Sequence, residues 1–94
     1  MNMANVTGYV TLSTNAGVAE LNTVVNCYEI KLLINDGAGD ITFNIDNAVA
    51  DGNTITLKAG ERLENFPVFV NKLYYKTAAN PTAFRFIGLR EKSF

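Results

Sequence analysis

Histidine is absent from the 94 residues, which removes the usual general base and the commonest transition-metal ligand. Cysteine is nearly so. One thiol, Cys27, can form neither an internal disulfide nor a structural zinc site, so the chain is expected to hold together by packing. With no histidine to activate it and Glu29 opposing thiolate formation, Cys27 is expected as a small buried hydrophobe within a strand. Positive charge is not in surplus either. Eight basic against nine acidic residues give a formal charge of -1, and nothing in that balance attracts a phosphate backbone, so nucleic acid is not an expected partner. Long apolar runs are missing too: "YEIKLLI" and "FPVFV" are far short of the roughly 18 residues that span a bilayer, so no membrane is expected. "MNMANVTGYV" lacks the basic start and apolar centre of a signal peptide, and the chain is expected to stay in the compartment where it is made.

What is abundant is strand-forming and turn-forming sequence. Asparagine and threonine occur throughout beside valine, isoleucine, phenylalanine and tyrosine, a composition that favours β-structure over helix. The clearest alternation runs from Tyr28 to Ile34, with Tyr28, Ile30, Leu32 and Ile34 expected on one face and Glu29, Lys31 and Leu33 on the other. The turn "NDGAGD" leads into "ITFNI", whose Ile41, Phe43 and Ile45 alternate with Thr42 and Asn44; the pair predicts a hairpin. Asp51-Gly52 suits a turn before the strand "TITLK", and Gly60 a reversal or bend. Pro67 places the start of the next strand at an edge or bend; from Val68 to Lys76 a long strand is expected, with a bulge at Asn71-Lys72. After a turn at Asn80-Pro81, Phe84 and Phe86 are expected inward and Arg85 and Ile87 outward, with Gly88 allowing a close approach. "VTGYVTL" is expected as a strand, and "GVAELNTVV" as a strand in preference to one short amphipathic turn. The sum is one all-β domain over residues 1–94, a small antiparallel β-sandwich or jelly roll of about seven or eight strands, with 89–94 a charged tail.

The chemistry-bearing residues do not assemble into a motif. Asp46 with Asp51, or Glu61 with Glu64, could form a carboxylate pair by proximity alone, yet all belong to turns, where solvation explains them. Asp36 and Asp40 flank two glycines in a calcium-like loop, but Ala38 stands where an oxygen ligand is required and hairpin turns use the same residues. No cofactor or metal is expected, and no enzymatic activity. Lys72, Lys76, Arg85 and Arg90 suggest a basic strip, which edge protection explains as well as a ligand does. Adjacent strand residues face opposite ways, so one of Tyr74 and Tyr75 must look away from the core. With Leu33 and Ile87, whose apolar side chains fall on the second face of their strands, these tyrosines are the candidate interface residues of a homo-oligomer.

From Asn53 to Gly88 the order resembles the C-terminal half of small β-rich virion proteins of tailed bacteriophages: a strand ending in Ala59-Gly60-Glu61, a strand holding Leu73-Tyr74 with Lys76 after it, a polar turn, and a last strand ending in Gly88. The resemblance implies a non-enzymatic virion component, a head decoration, fibre or tail protein made in the host cytoplasm and bound to itself and to other virion proteins. The matched positions are structural, and none implies a functional residue. The alternative reading is a carbohydrate or cell-surface binding module of similar fold, marked by coplanar exposed tyrosines beside a groove.

Overall fold

The computed structural model describes residues 8–46, 49, 54–78 and 82–90. Eight strands lie within them: β1 Tyr9–Ala16, β2 Leu21–Cys27, β3 Glu29–Asn35, β4 Ile41–Ile45, β5 Ile55–Leu57, β6 Arg62–Phe66, β7 Val70–Thr77 and β8 Thr82–Leu89. They form two antiparallel four-stranded sheets, β1-β8-β3-β6 (sheet A) and β2-β7-β4-β5 (sheet B). This interleaved order is that of a jelly roll, in which successive strands pass back and forth between the sheets. The all-β sandwich expected from composition and turn spacing is therefore the observed architecture. The turns at Asp51-Gly52 and Asn80-Pro81 and the segment from Glu91 lie outside the described residues.

The core fills the space between the sheets. Phe84, Phe86, Leu33 and Ile30 enter from sheet A, and Phe43, Ile41, Leu73 and Val70 meet them from sheet B. The alternation in β8 is as expected: Phe84 and Phe86 are buried, Arg85 and Ile87 face outward. Gly88 is buried beside Cys27, where a Cβ would meet its Sγ at 2.8 Å, so the strand needs glycine there. Cys27 is itself in the core, and burial pushes its thiol pKa up.

Two expectations are corrected. In β3, Ile30 pairs with Gly88 and Leu32 with Ile87, which leaves Lys31 without an opposite residue on β8. This bulge reverses the alternation, so Ile30, Leu33 and Asn35 point inward and Leu32 and Ile34 outward. Leu33, expected on the second face, is fully buried (0% exposed) and cannot serve an interface. Secondly, β3 and β4 do not form a hairpin. They belong to different sheets, and "NDGAGD" is a crossover between them. The irregularity expected at Asn71-Lys72 lies opposite a register shift of β2, between Val24 and Cys27, where Asn26 has φ 44°. Both the Asn71 and the Lys72 amides donate to Asp46 Oδ1 at 2.8 Å there.

Asn35 holds the crossover. Its Nδ2 donates to Gly39 O at 2.6 Å and to Leu57 O at 2.9 Å, and its Oδ1 accepts from Gly37 N at 2.9 Å. The side chain thus ties the turn to the end of β5. Nearby Gly60, at φ 81°, turns the chain and donates its amide to Asn35 O. Asn35→Ala would leave the Leu57 carbonyl without its buried donor and free the turn. We expect a loss of about 2 to 3 kcal/mol, read from urea unfolding; an unchanged midpoint would show that the crossover is held by the backbone alone.

Candidate functional site

Jelly rolls can enclose a ligand between their sheets, so the interior is the first place to look. Here it is closed by rings. Phe84 meets Phe43 edge-on at 5.1 Å between centroids and Tyr75 at 4.8 Å, bridging the sheets. Tyr75, one of the interface candidates, is therefore a core residue at 6% exposure, and its burial raises its pKa. The donor set is also wrong for a metal. The sequence has no histidine, and among the described residues no three Asp, Glu or Cys side chains gather closely enough to share a cation. The residues present do not fit a metal held in the barrel.

The proposed carboxylate and basic groups are dispersed. Asp36 is paired with Arg85, Nε to Oδ2 at 2.5 Å, Glu64 with Arg62 at 3.5 Å, and Glu61 Oε1 accepts from the Lys58 amide at 2.8 Å. Asp51 lies outside the described residues. Lys72 and Lys76 sit on β7 in sheet B, whereas Arg85 belongs to β8 in sheet A and Arg90 follows it, donating to Val25 O; no basic strip results. Hollows among the described residues indent the outside. One of about 400 Å³ is lined by Val18, Thr42, Val49, Lys76, Thr77 and Ala78. A smaller one of about 200 Å³ lies over sheet A between Ser13, Leu32, Arg85 and Ile87. Among the described residues neither lining includes a carboxylate.

The most distinctive surface is the end of the barrel that carries the β2–β3 and β6–β7 connections. Phe69 is 53% exposed, Tyr28 44% and Phe66 36%. Exposure does not leave them loose. Tyr28 and Phe69 stand edge to face at 5.6 Å, and the Tyr28 amide donates to Leu89 O at 2.7 Å. Asn65 at φ 52° kinks β6 one residue before its end, and across Pro67 the Val68 amide closes back on Phe66 O at 2.9 Å. That tight turn, with φ of Pro67 set by its ring, fixes where Phe66 and Phe69 project. The sequence reading missed these rings because "FPVFV" scans as the beginning of a core strand. The signal is Pro67, read from the sequence as an edge or bend without the consequence that Phe66 and Phe69 stand outside a continuous ladder. Of the remaining candidates, Tyr74 is half-buried on the outer face of sheet B and Ile87 half-buried on the outer face of sheet A.

No protein-family model matches the chain, and no curated protein matches it. Solved structures do. A cupin-2 domain containing protein from Shewanella frigidimarina superposes with a TM-score of 0.53 at 16% identity, covering 89% of this chain and 72% of that one. The cupin_2 domain of an XRE family transcriptional regulator from Enterobacter cloacae gives 0.58 at 17% identity, covering 90% of this chain and 84% of that one. The fold is that of the cupin domains. At these identities the likeness is one of fold, and it corrects the expectation of a phage structural protein: these two chains are cupin-2 domain proteins. Ala59-Gly60-Glu61, Leu73-Tyr74, Lys76 and Gly88, which carried that resemblance, are turn and strand positions of a jelly roll as such. The tyrosine platform of the alternative reading is not formed by Tyr74 and Tyr75, since one is in the core and the other on the opposite side of its sheet.

Proposed function

We propose that this chain is a non-catalytic protein-binding module that works through the aromatic rim of its jelly roll, Tyr28, Phe66 and Phe69. The observation that carries the reading is the exposed placement of these rings, Tyr28 and Phe69 in edge-to-face contact, on a barrel whose interior is packed shut. Aromatic side chains have few rotatable bonds to order on binding and are among the residues that dominate protein contacts. The partner such a rim suits is an apolar or aromatic segment of another protein. One like-folded chain is a domain of a transcriptional regulator, and a module serving a larger assembly agrees with that use of the fold.

The test is titration of isotope-labelled protein with short aromatic-rich peptides. Amide shifts should concentrate at Tyr28, Phe66 and Phe69 and their neighbours. Phe69→Asp should weaken binding at least about tenfold while stability stays within about 0.5 to 1 kcal/mol of the parent, as befits a half-exposed side chain. Shifts confined to the hollows or to the sheet faces would overturn the assignment.

A further inference from the structure

Four strands edge the two sheets, β1 and β6 in sheet A and β2 and β5 in sheet B. An open edge is a template for pairing with another chain, and natural proteins shorten it, charge it or bend it. Three of these edges are treated in that way. β5 has three residues. β6 presents Arg62 and Glu64 and kinks at Asn65. β2 is broken by its register shift between Val24 and Cys27. β1 is different: it runs eight residues, "YVTLSTNA", in unbroken register with β8, with no charge, proline or glycine.

Its free side can be located. Gly8 O accepts from Arg90 N, towards the β8 side, and Gly17 O accepts from Thr77 N of the other sheet. In an antiparallel ladder the backbone groups alternate sides. Those of Val10, Leu12, Thr14 and Ala16 therefore face β8, and those of Tyr9, Thr11, Ser13 and Asn15 face away from it. Among the described residues these outward groups have no backbone or side-chain partner.

We infer that β1 is an association edge and that its occupant is the β1 of a second copy, antiparallel about a two-fold axis at Leu12. In that register Thr11 meets the partner's Ser13 and Tyr9 meets the partner's Asn15, so every outward group is used in about eight hydrogen bonds. Sliding by two residues in either direction strands one residue of each copy. The strand carries no charge to repel its own image, and a two-fold contact closes after one pairing. The same side of the sandwich, where β2 lies against β1, also presents exposed Val18, Leu21 and Val24, which the second copy would cover.

The full chain should have twice its monomer mass by light scattering. Thr11→Lys with Ser13→Lys sets like charges opposite each other in this register and should give a folded monomer, with circular dichroism as the check on folding. Thr11→Lys with Ser13→Glu sets opposite charges together and should restore the dimer. A wild-type monomer, a dimer that survives the two lysines, or a lysine-glutamate pair that fails to restore association would each overturn the proposal. Should the lysine variant not fold, amide exchange in the wild type decides: protection at Tyr9, Thr11, Ser13 and Asn15 should rise with protein concentration, and constant exchange would overturn it.

Discussion

Phe84→Ala should lower the melting temperature by about 15 to 30 °C. The ring is fully buried in sheet A and stands edge to face with Phe43 and Tyr75 of sheet B, so its loss removes both transfer free energy and the contact joining the layers. Truncations of this kind cost about 3 to 5 kcal/mol. A domain of this size is stable by only about 5 to 14 kcal/mol, and each kcal/mol moves the midpoint by about 4 to 8 °C. The space left would be apolar, lined by Phe43 and Tyr75, and a small aromatic such as benzene should enter it and recover part of the loss. Calorimetry of the variant with and without benzene checks both parts. A melting temperature within a few degrees of the parent would mean that the sheets close the interior without this ring.

Gly88→Val should be at least as damaging for the opposite reason. A Cβ at this position would lie 2.8 Å from Cys27 Sγ and 2.9 Å from both Cys27 Cβ and Phe86 Cε1, before the two further methyl groups are added. Gly88 pairs with Val10 of β1 on one side and Ile30 of β3 on the other, so the backbone has no free direction in which to yield. Overpacking of a closed core costs about 1 to 3 kcal/mol for a methylene and more for a branched side chain. We expect about 3 kcal/mol or more by denaturant unfolding. Combining the milder Gly88→Ala with Cys27→Ala should recover part of its loss, because the nearest obstructing atom is removed. Strict additivity of the two changes would show that the thiol is not what fills the space.

What the sequence disclosed follows from how local each signal is. Phe84-Arg85-Phe86-Ile87 alternates without interruption, and its strand has the expected faces. Cys27 and Gly88 were each legible alone, as a small buried hydrophobe and a close approach, although nothing local announced that they meet. The bulge at Lys31 was hidden because two leucines follow it, and Leu32 and Leu33 are equally apolar whichever of them faces inward. The crossover at "NDGAGD" has the composition of a hairpin turn; what separates the two cases is distant in sequence, such as the Asn35 bond to Leu57, 22 residues away. The candidate rim was obscured by the same logic, since apolar residues at a strand entry are ordinarily core, and its exposure depends on the kink at Asn65 and the turn at Pro67.

The interleaved order of the strands also governs when the molecule can exist. Among the described connections only β4–β5 joins neighbours within one sheet, while β8 is paired with both β1 and β3. β1 thus waits for β8, and until β8 arrives nothing joins β1 to β3 in sheet A. Closure of such distant segments is slow and leaves apolar strands uncovered in the meantime. Until then both flanks of β1 stand open, the one that β8 will occupy and the one that it leaves free, and either can meet a neighbouring nascent chain.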